Sequence, residues 1–352
     1  MTDFSKRLIT WQKLYGRHDL PWQNTTDPYA IWVSEIMLQQ TQVSAVIGYY
    51  QKFMQRFPNI AALANATQDE VLQHWSGLGY YSRARNLHNA AQTIMDEHDG
   101  EFPNDFVTIQ KLSGIGRSTA AAIASFAFNQ VQTILDGNVK RVLARHFAIE
   151  GWPSTPRIEK ELWVLAESLL PKTEMVAYTQ GLMDLGATLC TRSKPQCARC
   201  PLASSCIAFK QGRVNQLPTP KPRKVIPEKN ITMLILRQGN SILLEKRPST
   251  GIWGGLWSFP ETDETQNLTH HVKQRFGIDT ESEVPLANLS HTFTHFKLHI
   301  NPQPLMVVSK HTQLNESVNV WLNIEDAIGA AIPTPVRKIL LSLMQTKASS
   351  LF

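Results

Sequence analysis

Outside residues 190–206 the chain has no cysteine. That excludes the disulfide-stapled secreted scaffold, whose cysteines are spread through the whole fold. No apolar run reaches the roughly 20 residues that a membrane-spanning helix needs. The opening stretch, MTDFSKRLITWQKLYG, mixes acid with base and lacks the basic, apolar, small-residue order of a secretory signal. Internal repeats and low-complexity tracts are missing too, so nothing suggests a solenoid or a disordered chain. A cytoplasmic protein is expected.

What is present is globular. The 352 residues are 42% hydrophobic and 18% charged, a composition typical of folded soluble domains on a chain too long for one ordinary core. A net charge of +6 is compatible with a polyanionic partner but does not select one. Residues 1–210 read as an all-α unit. Apolar residues recur at helical spacing in DPYAIWVSEIMLQQTQVSAVIGYYQKFMQRF and RSTAAAIASFAF. Asp27-Pro28 opens one helix that Phe57-Pro58 closes, Gly100 to Pro103 follow another, and Thr67 with Glu70 resembles a capping box. At 211–230, QGRVNQLPTPKPRKVIPEKN carries four prolines, with Arg213, Lys221, Arg223, Lys224 and Lys229 against Glu228. This reads as an extended linker, either a solvated tether or a strap along DNA. Residues 231–352 read as α+β, with strands in ITMLILR, SILLEKR and LMVVS and helices in NLTHHVKQRFG and NIEDAIGAAIPTPVRKILLSLMQ.

The four cysteines, Cys190, Cys197, Cys200 and Cys206, have the spacing C-x6-C-x2-C-x5-C. Thiolates this close in sequence converge on one metal centre, and both tetrahedral zinc and an iron–sulfur cluster accept four of them. Upstream, LSGIGRSTAAAIASF places Gly114 and Gly116 immediately before an alanine-rich helix. Outward-facing amides at such a turn, with the positive helix end, suit a phosphate. About twenty residues further on stands LDGNVKRVLARHF.

Glycine hairpin, aspartate motif and cysteine spacing together resemble the helix-hairpin-helix DNA glycosylase superfamily. The resemblance implies a [4Fe–4S] cluster on the four cysteines and an essential Asp136. Bifunctional members carry a lysine two residues after the second hairpin glycine, where its amine attacks the sugar. This chain has Ser118 there, and a hydroxyl cannot form a Schiff base. DPYAIWVSEIMLQQTQV is similar to the adenine-excising members, in which the glutamate, here Glu35, is the catalytic acid. One departure is Ser113, where the hairpin usually has proline.

The residues accommodate that chemistry. Glu35 has Ile31, Trp32 and Leu38 one helical turn away, and apolar burial raises a carboxyl pKa toward that of a general acid. The plainer alternative is a buried, hydrogen-bonded glutamate. Asp136 would stabilise positive charge on the sugar or simply cap the following helix. Both roles are compatible, since capping amides would keep Asp136 ionised while Glu35 is protonated. Asn138 would hydrogen-bond in the same site. By resemblance, Gln40 and Tyr80 enter the base stack, with Thr41 and Leu78 beside the opposing base and Arg83 and Arg85 near phosphates.

LLEKRPSTGIWGGLWSFP, at 243–260, resembles the approach to the catalytic box of Nudix hydrolases. The following ETDETQNLTHHVKQRFGID lacks the box's acidic cluster, so the fold without pyrophosphate hydrolysis is expected. In adenine-excising relatives this domain reads 8-oxoguanine through a loop to which Phe293, Thr294 and His295 correspond. The expectation is a monofunctional adenine glycosylase acting on duplex DNA with adenine opposite 8-oxoguanine or guanine. A monomer is expected, with no membrane association and with other repair proteins as further partners.

Overall fold

Short polar side chains set several helix starts in this protein. Asp27, Thr67, Asp105 and Asp136 each accept a hydrogen bond from a backbone N–H two or three residues on, at 3.0, 3.2, 2.9 and 2.8 Å. Each satisfies an amide that the helix leaves unpaired. The computed structural model describes residues 1–222, 225–263, 267–311, 314–315 and 317–349. Arg223 and Lys224 of the expected linker therefore lie outside the described residues. The chain forms two compact units, one of residues 1–65 and 86–223, the other of 66–85 and 224–352.

The helices of the N-terminal two-thirds are α1 (Asp3–Tyr15), α2 (Pro28–Leu38), α3 (Val43–Arg56), α4 (Ile60–Ala64), α5 (Gln68–Trp75), α6 (Ser82–Glu97), α7 (Phe106–Lys111), α8 (Arg117–Phe128), α9 (Gly137–His146), α10 (Pro156–Ser168), α11 (Met175–Asp184) and α12 (Ile207–Lys210). Helix α5 and the first turn of α6 belong to the second unit. In the first unit, Leu8, Val139, Leu143, Leu162, Leu182 and Leu185 form a buried core joining α1, α9, α10 and α11. The long apolar run from Asp27 to Phe57 is two helices rather than one. Gln40 has φ +55, a left-handed conformation that no helix continues through, so α2 ends before it and α3 starts at Val43.

The linker is less free than its prolines suggest. Leu217 is buried and its carbonyl accepts from Arg145 Nε at 2.8 Å, while Thr219 Oγ1 accepts from the Gly151 amide at 3.0 Å. The first half thus packs on the first unit, and residues from Glu228 are already strand.

In the second unit, β1 (Glu228–Gln238), β2 (Ser241–Lys246), β3 (Trp257–Ser258), β4 (Glu261–Thr262), β5 (Ile278–Ser282), β6 (Leu289–Thr292), β7 (Lys297–Lys310) and β8 (Asn319–Asn323) make one mixed sheet ordered β3-β2-β1-β7-β5. Strand β4 pairs with β1, β6 with β7 and β8 with β2. The central β1–β7 pair is parallel. Burial on both faces explains the unbroken apolar run Met233–Leu236 in β1. The helices here are α13 (Leu268–Phe276), α14 (Ile324–Gly329) and α15 (Thr334–Ser349).

Candidate active site

Helix α2 packs against α8, and Gln39 Nε2 donates to Thr119 Oγ1 at 3.3 Å. Glu35 projects from α2 into a cavity of about 320 Å³, lined also by Ile31, Ser34, Leu38, Trp22 and Phe126. Arg17 and Gln180 also line it. Arg17 is paired with the fully buried Asp184, donating from its amide (2.9 Å) and Nε (2.7 Å), and Gln180 Nε2 donates to the same carboxylate at 2.9 Å. Burial, then the neighbouring Asp136 charge, pushes the Glu35 carboxyl up from 4.5 to about 8. Neither helix capping nor an ion pair offsets that rise.

Asp136 closes the N-terminus of α9. One oxygen accepts from the Val139 amide at 2.8 Å and the other from Asn138 Nδ2 at 3.3 Å. Sequence reasoning expected these amides to hold Asp136 ionised. Burial lifts this carboxyl above its ordinary value, and the Val139 amide, Arg141 and Asn138 hold that rise back. Glu35 still lies well up the scale, so the two carboxyls occupy opposed environments: one bare in a cavity, the other held by three donors or charges.

Ser118 is half-buried in the first turn of α8. Its Oγ accepts from the Leu135 amide at 3.0 Å, fixing the backbone immediately before Asp136. At the hairpin, Gly114 has φ +79, and a Cβ there would stand 2.7 Å from Asn86 Cβ. Only glycine fits both the turn and this approach. Gly116 is the N-cap residue of α8.

Two arginines, one turn apart on α9, tie this aspartate helix to the cysteine loop. Arg141 donates to Asn138 Oδ1 (2.7 Å), the Gly186 carbonyl (2.6 Å) and the Cys190 carbonyl (2.7 Å). Arg145 is buried and donates to Cys190 Sγ (3.3 Å), Thr191 O (2.7 Å) and Arg192 O (3.2 Å). A Cβ on Gly186 would meet Asn138 Cβ at 2.5 Å, so the segment before Cys190 lies directly on the site's asparagine. The sequence motif contained both arginines, but their i, i+4 spacing after Asp136 was the unused signal.

Cys190, Cys197, Cys200 and Cys206 line one cavity with Leu189, Phe209 and Val214. Burial raises the Cys197, Cys200 and Cys206 thiols, Cys200 to about 11, and the Cys190 charge raises each further. Burial thus favours the neutral thiols, and the donor set suits a cationic centre, which would be needed to hold four thiolates side by side. Among the described residues no three His, Cys, Asp or Glu side chains are already gathered as ligands of one metal ion; a shared cavity is what the loop provides.

Gln40 is exposed in its left-handed turn, and Thr41 Oγ1 donates to the Gln39 carbonyl at 3.2 Å. In the second unit, Tyr80 is 45% exposed with φ +50 directly after Gly79, while Leu78, between Gly77 and Gly79, is buried. Arg83 is also buried, over the Trp75 and Tyr80 rings and donating to the Gly79 carbonyl. Arg85 donates to the Gly254 carbonyl at 2.6 Å. Arg83 thereby supports the Tyr80 turn from within, and Arg85, which is only partly buried, braces the loop at Gly254. Phe293, Thr294 and His295 form the β6–β7 connection, with Thr294 and His295 exposed and Phe293 half-buried.

Residues 33–168 match the model of the HhH-GPD superfamily of base excision DNA repair proteins, and 231–342 match the NUDIX domain. A thermostable thymine-DNA glycosylase has the first unit's architecture, at 29% identity and TM-score 0.54 over 59% of this chain and 95% of that one. Endonuclease III in a non-covalent DNA complex shares the fold, at 22% identity and TM-score 0.50 over 60% of this chain and 98% of that one. The class is thus a helix-hairpin-helix base-excision glycosylase bearing a Nudix-like C-terminal domain.

The adenine DNA glycosylase of Buchnera aphidicola subsp. Baizongia pistaciae is 40% identical over 341 residues, 97% of this chain and 96% of that protein. The chain belongs to the adenine DNA glycosylase family and cleaves N-glycosyl bonds in base excision repair.

Proposed function

We propose that this glycosylase excises adenine opposite 8-oxoguanine or guanine by a monofunctional route, with Glu35 as the acid and Asp136 as the sugar's counter-ion. Adenine leaves the duplex stack, at a cost of a few kcal/mol. The wedge residues Gln40 and Tyr80, with Thr41 and Leu78, compensate for the vacated stack. Amides at Gly114 and Gly116 hold a backbone phosphate. The extruded base enters the cavity beside Glu35, whose proton goes to adenine as the glycosidic electron pair follows the leaving base. Ionised Asp136, oriented by Asn138 and the Val139 amide, stabilises the positive sugar until water adds and loses its proton.

The observation that carries this reading is Glu35 itself: its carboxyl faces a cavity and is pushed up to about 8. A group with that pKa holds its proton at neutral pH and still releases it. Ser118 offers no amine at the sugar and instead holds the Leu135 amide, which supports glycosylase action without AP lyase. The four cysteines would hold a [4Fe–4S] cluster, supplying the cationic centre that neutralises their thiolates and orders the basic loop of Arg192, Lys194 and Arg199. The second unit would read 8-oxoguanine through Phe293, Thr294 and His295, and the protein would work as a cytoplasmic monomer on duplex DNA.

The test is a panel of duplexes bearing adenine opposite 8-oxoguanine, adenine opposite guanine, or thymine glycol, resolved before and after alkali. Excision of adenine from the first two, with strand breaks appearing only after alkali, is expected. Breaks without alkali, or activity on thymine glycol, would favour a bifunctional pyrimidine-lesion enzyme.

A further inference from the structure

The proposed reading loop is only four residues long, Phe293 to Phe296, between β6 and β7. Its tip, Thr294 and His295, is exposed and makes few internal bonds. A loop of this kind discriminates between two purines only if its base is rigid, since recognition depends on positions held to a fraction of an ångström. The Phe293 amide donates to the Phe296 carbonyl at 2.8 Å, and the two rings stack at 4.7 Å. The Phe293 ring also meets His291 edge-on at 4.6 Å and Trp253, tilted, at 5.4 Å.

Trp253 comes from a distant loop between β2 and β3, where it is 6% exposed and has φ +54. A bulky side chain rarely adopts that conformation, and it persists only where its surroundings over-determine it. They do so here. The Trp253 carbonyl accepts from the Leu256 amide at 3.0 Å, and Arg247 lies over the indole while its Nε donates to the Ile252 carbonyl. Arg247 is itself ion-paired with Glu261. One residue on, the Gly254 carbonyl takes the Arg85 hydrogen bond, from the same stretch of chain as the Tyr80 turn. Backbone bonds thus fix the turn at Trp253, Arg247 covers the indole, and the ring packs against Phe293 and His291.

We propose that Trp253 is a positioning residue for lesion specificity: the 247–256 loop clamps Phe293 from behind and sets the preference for 8-oxoguanine over guanine. This rests on the reading of 293–295 as the lesion reader. Trp253 is buried against Phe293 and against His291, which itself meets Phe293, so it acts through the base of the 293–296 loop.

The experiment measures single-turnover excision of adenine opposite 8-oxoguanine and opposite guanine for Trp253→Ala, Trp253→Phe, Phe293→Ala and the Trp253→Ala/Phe293→Ala pair, all in the full chain. Loss of one well-placed aromatic contact corresponds to about 2–10-fold. Trp253→Ala is expected to lose that much of the 8-oxoguanine preference, with excision opposite guanine unchanged. Trp253→Phe keeps most of it, and the pair is no worse than Phe293→Ala. If Trp253→Ala does not fold, as judged by its thermal transition, Trp253→Leu replaces it: bulk without an aromatic edge should still lose the preference. If Phe293→Ala lowers the preference but the Trp253 variants do not, or if the pair is additive, the clamp is wrong and the reader stands. If Phe293→Ala leaves the preference intact, the reader assignment falls and the clamp with it.

Discussion

Glu35→Gln keeps the shape of the acid and removes its proton. General acid catalysis contributes about 10²–10⁴-fold, so single-turnover excision should fall at least a hundredfold while binding to the mispair survives. Stability should respond in the opposite sense. Burial raises the Glu35 carboxyl from 4.5 to about 8 in the folded chain. The stabilising contribution of its neutral form is fully present below about pH 4.5 and is lost as pH rises through 8. That difference corresponds to a loss of on the order of 5 kcal/mol by pH 9, to which glutamine is immune. Denaturant unfolding of both proteins at pH 5, 7 and 9, without oxygen, measures it. The variant should gain on wild type as pH rises. A stability difference independent of pH, together with excision within tenfold of wild type, would refute both the burial argument and the acid assignment.

Four other outcomes follow from the same geometry. Ser118→Lys supplies an amine at the position used by bifunctional relatives, so borohydride should trap a protein–DNA adduct that wild type forms poorly; the lost Leu135 hydrogen bond should also slow excision. Arg141→Ala removes bonds to Asn138, Gly186 and Cys190; at about 1.5–3 kcal/mol for a bond to a charged donor, excision should drop at least tenfold with mispair binding retained. The anaerobically purified protein should contain iron and absorb broadly in the visible, as iron–thiolate clusters do, and zinc without iron would contradict that. Neutralising Arg192, Lys194 and Arg199 should weaken binding to all duplexes alike and flatten its dependence on salt.

Local chemistry was readable where one residue governs one structural event. Asp27, Thr67 and Asp136 were legible as caps because a short polar side chain before an apolar run has few other uses. The break at Gln40 was not, since a glutamine in a left-handed turn follows no propensity and is held by the fold around it. Strand β7 was seen only from Leu305 onward. Pro302 and Pro304 disguised the rest, although their carbonyls accept from the Leu286 and Glu283 amides, on the side where β6 has ended and β5 not yet joined. The chain division also escaped composition: residues 66–85 read as part of the helical unit, yet Lys246 bridges to Asp69 at 2.7 Å and Gln73 bonds the Gly329 carbonyl. Deleting everything after about 230 would strip α5 of these partners, so alanine at Phe293, Thr294 and His295 tests lesion reading more cleanly. At the site, the elevated Glu35 followed from its apolar neighbours, but the rise at Asp136 did not. Capping amides are visible in a sequence; the depth at which they are buried is not.

The central claim is that Glu35 delivers its proton from a pKa near 8. Its most direct test is the pH dependence of single-turnover adenine excision, measured from pH 6 to 10 with adenine opposite 8-oxoguanine. The account predicts a rate that falls tenfold per pH unit above about 8 in wild type, and no such limb in Glu35→Gln. A wild-type rate that stays level to pH 10, or a limb that persists in the glutamine variant, would contradict it.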